Sequence, residues 1–277
     1  MRRFRIGWDL TKKSWSLLRE RPGLSAFPIV GGLLALLATV AVAGPGLYLL
    51  DTESQVPGAI LVALGLYLAS LVSTYFAVGL AAAADRAFRG EEVSLADGLA
   101  VSRRRFGAIA GWAFVSTVVG LLISALQSQR GLAGPIVGAL GGAAWGLITF
   151  LAVPVIALEG TGPIETIRRS ASLFRERWRG QVTGNVAIGG AVTLLGVLPG
   201  VLLTIAGIAL WTSDGNGGET AAGMFLVLAG VTLFTVSSVV AHALKQLFGV
   251  ALYRYTADNE VVAGFTENEL ASAVRTR

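Results

Sequence analysis

The sequence contains no cysteine and only one histidine, His242. The first absence excludes a disulfide framework, a thiolate metal site and a cysteine nucleophile. The second makes a histidine-based zinc site or a Ser-His-Asp centre untenable. Charge is scarce too, at 14 % of 277 residues, where a soluble domain carries about 25 %. There is no Walker loop and no His-Glu metalloprotease motif, and the acidic residues sit in connections beside arginines, where surface pairing accounts for them. The chain therefore reads as a non-enzymatic protein with no metal and no cofactor.

Apolar residues are what the chain has in quantity, at 54 % with a mean hydropathy of +0.69. A helix needs about 20 apolar residues to cross a hydrocarbon core of roughly 30 Å. Six stretches qualify, near Phe27 to Leu50, Gly58 to Ala84, Ala108 to Leu126, Pro135 to Leu158, Gly184 to Trp211 and Ala221 to Leu244. None has an acidic residue or an arginine in its middle, so an ion-coupled transporter would lack relay residues. The expected fold is all-α: one polytopic membrane domain of six transmembrane helices arranged as three hairpins.

Of the 22 Lys and Arg residues, all but Arg130 fall on one side of these spans. By the positive-inside bias both termini are expected in the cytoplasm of a prokaryotic cell, the protein being multi-pass in its plasma membrane. The +5 charge and pI near 10.0 are thereby spread over several topogenic segments, and no nucleic-acid partner is expected. The connections Asp51 to Pro57, Gln127 to Gly134 and Thr212 to Thr220 are too short for an external domain. Ala41-Val42-Ala43 after the first apolar stretch resembles a signal-peptide cleavage site. The preceding basic region is too long for one, and the apolar stretch runs on to Leu50, so it is read as a span.

A repeat organises the chain. Lys12-Lys13-Ser14-Trp15-Ser16-Leu17-Leu18-Arg19-Glu20-Arg21 aligns without a gap on Arg168-Arg169-Ser170-Ala171-Ser172-Leu173-Phe174-Arg175-Glu176-Arg177. Each block is amphipathic at helical spacing, with Trp8, Thr11, Trp15 and Leu18, or Ile164, Ile167, Ala171, Phe174 and Trp178, opposite its basic residues. The second connection repeats the idea more loosely, with Leu95, Leu99 and Phe106 on one face and Arg103, Arg104 and Arg105 closing the segment. Ser94 with Asp97 and Thr266 with Glu269 have capping-box spacing, and Pro163 suits a first helical turn. Three units result, at about 6–84, 94–158 and 163–254, each an amphipathic helix followed by a two-span hairpin, with a cytoplasmic tail at 255–277. The tail holds a possible fourth copy, Phe265 to Val274, after a hinge, Asp258-Asn259-Glu260-Val261, that echoes Gly90-Glu91-Glu92-Val93. Such helices either lie among anionic headgroups, through Lys12, Lys13, Arg19, Arg103, Arg104, Arg168, Arg169 and Arg175, or pack on the ends of the spans.

Within lipid, spans associate by close packing and hydrogen bonds. Gly134, Gly138, Gly142 and Gly146 form a smooth ridge four apart, Gly107 with Gly111 and Gly196 with Gly200 offer shorter ones, and Pro154 and Pro199 are expected to kink their spans. The candidate site is a polar face on the last span: Thr232, Thr235, Ser238, His242, Lys245 and Gln246 fall within one helical arc. Such a face either lines a cavity open to the cytoplasm, where Lys245 holds an anionic headgroup, or satisfies itself by bonding back to its helix and snorkelling.

The motif Gly7-Trp8 through Ser14-Trp15, then Leu17-Leu18 and Phe27-Pro28, with the ending Ala251-Leu252-Tyr253-Arg254-Tyr255 and Gly264-Phe265, resembles an uncharacterised family of six-span bacterial and archaeal membrane proteins. More distantly, the helix-plus-hairpin plan is similar to the membrane domain attached to some glycerophosphodiester phosphodiesterases. The resemblance implies an integral membrane protein of unassigned activity, associated with lipid metabolism, and transfers no catalytic residue. The expected function is binding or passage of lipids or small solutes; the alternative is a scaffold or regulatory subunit that binds a protein partner, or a second copy, through the basic helices.

Overall fold

The computed structural model describes residues 22–51, 55–129, 133–177, 197–212 and 217–262. The regular elements among the described residues are all helices, with no strand among them: α1 (Pro22–Ala38), a π-helical turn (Thr39–Ala43), α2 (Gly44–Leu50), α3 (Gln55–Phe88), α4 (Leu95–Arg104), α5 (Phe106–Gln127), α6 (Ala133–Ile148), α7 (Ala152–Leu158), α8 (Pro163–Arg177), α9 (Leu198–Trp211) and α10 (Gly217–Ala257). Among the described residues, five segments are long and apolar enough to cross a membrane: Gly23–Leu50, Gln55–Phe88, Phe106–Gln127, Ala133–Leu158 and Thr220–Ala257. The protein is a multi-pass membrane protein. Of the expected span from Gly184 to Trp211, the part before Val197 lies outside the described residues, and the rest is the shorter apolar helix α9. The first amphipathic helix, its residues Lys12, Lys13 and Arg19, and the tail copy from Phe265 also lie outside the described residues.

Two helices are too long for the bilayer. At 1.5 Å per residue, the 34 residues of α3 extend about 51 Å and the 41 of α10 about 61 Å, against a roughly 30 Å core. Burial shows where each leaves the lipid. On α3, Val56, Ile60, Leu64 and Leu66 are exposed, whereas from Phe76 to Phe88 only Arg86 escapes full burial. On α10 the exposed side chains run from Met224 to Val236, and burial sets in at Ala243. The exposed faces of α1 and α6 stop at Ile29 and Ile148, and α5 begins at the exposed Phe106. These positions mark one membrane boundary. Beyond it the helix ends close on each other in a water-side knob whose core includes Leu24, Phe27, Leu80, Ile109, Ile156, Leu173, Phe248 and Leu252.

Glycines set how closely the membrane-embedded helices pair. A Cβ on Gly46 would lie 2.8 Å from Val62 N, on Gly200 2.7 Å from Phe234 N and on Gly223 2.5 Å from Trp211 N. Backbones thus touch between α2 and α3, and between α9 and α10, as small residues permit in lipid. The expected ridge on α6 holds at one end only. Gly134 and Gly138 press on the end of α5, Gly142 meets only Ile123 at 3.8 Å, and Gly146 meets nothing within 4 Å. Gly107 also meets nothing and is no packing glycine, because it lies on an exposed stretch of α5. Pro154 acts as expected: having no N–H for Phe150 O, it accompanies the break between α6 and α7. Pro199 stands in the first turn of α9, where its missing donor costs nothing.

The amphipathic helices α4 and α8 dock at the boundary by the same device, a fully buried serine. Ser102 Oγ donates to Tyr75 O at 2.7 Å, and Ser170 Oγ donates to Ile148 O at 2.5 Å while accepting from Leu151 N at 3.3 Å. The second serine thereby bridges the broken helical ladder. The capping box is present: Asp97 N donates to Ser94 Oγ at 3.2 Å, and Ser94 N to the Asp97 carboxylate at 3.0 Å. Ser94 Oγ also donates to Asp97 Oδ2 at 2.7 Å; this bond, the leading cause, with the one from Ser94 N and nearby Arg86, holds the Asp97 carboxyl below its ordinary value.

Candidate functional site

At the level of the boundary, α1, α3 and α10 enclose a cleft of about 210 Å³. Phe27, Gly31 and Gly32 form one wall, Ser73 and Phe76 a second, and Ser238 with His242 the third. The two glycines act differently. Gly31 is pressed on Phe76, whose Cβ would lie 2.6 Å from an added Cβ, whereas Gly32 faces only Val239 Cγ2 at 3.9 Å and leaves the cleft open.

The lining is apolar except for Ser73, Ser238 and His242. Threonine hydroxyls elsewhere in the fold bond back to the carbonyl four residues earlier, as Thr39, Thr117, Thr149, Thr204, Thr235 and Thr256 do. Ser73, Ser238 and His242 make no hydrogen bond to another described residue. Three polar groups therefore face the cleft with bonding capacity to spare.

The structure divides the polar face expected on the last span. Ser238 and His242 reach the cleft. Lys245 follows one turn further out, exposed and without an ion pair among the described residues, and Gln246 beside it is half-buried. Thr232 and Thr235 do not line the cleft: both are exposed, and Thr235 Oγ1 donates to Val231 O at 2.8 Å. They lie above the boundary, on the stretch of α10 whose Gly223 and Gly230 pack against α9, so a shared helical arc did not mean a shared cavity.

Among the basic residues, Arg103, Arg104, Arg168 and Arg175 are exposed at the level where α4 and α8 dock. Both helices pack one face on the ends of the spans and turn these arginines outward. Arg169 is instead bound: its Nε donates to Glu159 Oε1 at 2.8 Å, which keeps the guanidinium pKa above its ordinary value, and Tyr253 Oη donates to the same oxygen at 2.6 Å. Arg86 donates to Glu91 at 2.7 Å, the leading reason that the Glu91 carboxyl sits below its ordinary value.

One expectation is corrected in the knob. Surface pairing does not describe Asp85, which is 3 % exposed. Arg254 grips it through both nitrogens of one edge, Nε to Oδ1 at 2.6 Å and Nη2 to Oδ2 at 2.9 Å, and holds Asp258 at 2.9 Å. The reason is that α3 and α10 overrun the bilayer, so their last turns face each other in protein. A sequence signal existed. Gly90, Gly160 and Asn259 all have positive φ, at 81°, 74° and 56°, and each ends a long apolar segment. The residues five before them are Asp85, Val155 and Arg254, all turned into the knob. The echoed hinges are thus helix caps, and the acid and the base each stand five residues before one.

The sequence pattern of DUF6159, a family of unknown function, matches residues 57–265, well over half of the chain, and the chain belongs to that family. The match includes Ser73, Ser238, His242, Lys245 and both partners of the Asp85–Arg254 pair, while the α1 wall of the cleft precedes it. No curated protein matches the chain.

Proposed function

We propose that this member of DUF6159 is a non-enzymatic protein of the prokaryotic plasma membrane that binds lipids or small amphiphilic solutes in the boundary cleft and passes them along it. The observation that carries this reading is the placement of the cleft: apolar walls, three polar groups with free bonding capacity and a cation beyond them, all at the depth where hydrocarbon gives way to headgroups. The exposed arginines of α4 and α8 suit an anionic leaflet at the same depth. The reading carries six spans in three hairpins, each following an amphipathic helix, with both termini in the cytoplasm. This plan is similar to the membrane domain attached to some glycerophosphodiester phosphodiesterases.

Proteoliposomes test it. Lipid scrambling and solute flux should exceed those of empty vesicles and fall in His242→Ala with Lys245→Ala; flux no greater than in empty vesicles sinks the reading. A second reading, a scaffold, is favoured by the exposed Arg168 and Arg175. It requires that reversing them abolish a co-purified partner while cleft substitutions do nothing. Orientation is read by single cysteines: Ser128→Cys should react with an impermeant maleimide from outside the cell and Glu92→Cys should not.

A further inference from the structure

We infer that the cleft takes a glycerophospholipid, with its ester region at Ser73, Ser238 and His242 and its phosphate at Lys245. This assignment rests on the lipid-binding reading above and adds the class of lipid. The order of groups along α10 carries it. Lipid-exposed Phe234 and Val236 come first, then Ser238 and His242 facing the cleft, then Lys245. His242 and Lys245 are three residues apart, about 4.5 Å along the axis. Acyl chain, ester oxygens and phosphate follow each other in the same order from bilayer centre to water.

The chemistry agrees at each level. Hydroxyl and imidazole groups can donate to ester carbonyls, and the polar atoms that would compete for Ser73, Ser238 and His242 are missing among the described residues. Lys245 is an exposed cation with no acid partner among the described residues, while the arginines nearest the knob core, Arg254 and Arg169, are already bound to carboxylates. A phosphate is the group at this depth that complements it. Size sets the mode of binding. About 210 Å³ is less than the roughly 300–1,000 Å³ of pockets that enclose a whole drug-sized ligand. Only one limb of the lipid enters, and the remainder stays in the leaflet.

The test is native mass spectrometry of the full chain in mild detergent, offered phosphatidylglycerol, phosphatidylcholine and diacylglycerol with identical acyl chains. Wild type should retain both phospholipids over diacylglycerol. Lys245→Gln should cut phospholipid retention about fivefold, the weight of one basic residue near the surface, leave diacylglycerol unchanged, and be rescued by Lys245→Arg. An unaltered phospholipid-to-diacylglycerol ratio in Lys245→Gln overturns the phosphate assignment and leaves the cleft reading standing. Gly32→Leu, which points into open space and should melt as wild type does, should expel all three lipids. Unchanged occupancy in Gly32→Leu overturns the cleft reading itself.

Discussion

Replacing Asp85 by alanine isolates what the knob requires. Asp85 has a side chain 5 % exposed, Arg254 one 20 % exposed, and two hydrogen bonds of 2.6 and 2.9 Å join them. Removing one partner of a buried pair costs about 3–5 kcal/mol, because the other charge is left without compensation. Arg254 would keep Asp258 at 2.9 Å and some access to water, which moves the expectation to about 2–3 kcal/mol. At roughly 2–4 °C per kcal/mol for a large domain, the thermal midpoint in detergent, followed by circular dichroism, should fall by about 4–12 °C. Asp85→Leu with Arg254→Met removes both charges and fills the space with apolar atoms. It should recover most of the loss, since apolar replacements of buried pairs are often neutral or better. Arg89 touches Asp85 at 3.2 Å from an exposed position, so Arg89→Ala should stay within about 1 kcal/mol of wild type. If Asp85→Ala melts with wild type, or if the double variant is no better than the single ones, the pair is solvated and the knob is not the closed protein interior described above.

Other substitutions probe the remaining devices. Gly207→Leu should separate α9 from α10, because a Cβ there would already lie 2.5 Å from Val227 N; loss of a disulfide between cysteines engineered across that pair reports it. Gly160→Ala should destabilise by at least about 1 kcal/mol in the same melting assay, since the residue has φ of 74° and the Arg105 guanidinium covers it. The carboxyls of Asp97 and Glu91 titrate lower in the folded protein than in the unfolded chain, so their stabilisation is complete above the unfolded value and is lost as pH falls through the folded one. Amide exchange in α4 should accelerate as pH is lowered past about 4, after correction for the intrinsic rate, and Ser94→Ala should weaken that dependence by removing the hydroxyl bond that is the leading cause of the low Asp97 value.

The local features of the chain were legible in its residues. Apolar runs of about 20 residues report a transfer free energy that each segment carries by itself, so most of the membrane helices could be read directly. The capping box at Ser94 and the break at Pro154 depend on neighbours within a few positions, and both stand where expected. The candidate site was legible in part. Ser238 and His242 share a helical arc with Thr232 and Thr235, but periodicity says only that residues face one way, not what faces them.

The tertiary structure decided the rest, because it brings together residues far apart in sequence. Asp85 and Arg254 are 169 positions apart, and their shared place five residues before a cap does not pair them until α3 and α10 overrun the bilayer and meet. The same meeting gives Ser238 and His242 one opposite wall, from Ser73, and α1 adds the other with Gly32. Hydropathy sums over single helices and is blind to that pairing. Which helix ends close on which is settled by packing in the knob, and the depth of the cleft follows from it.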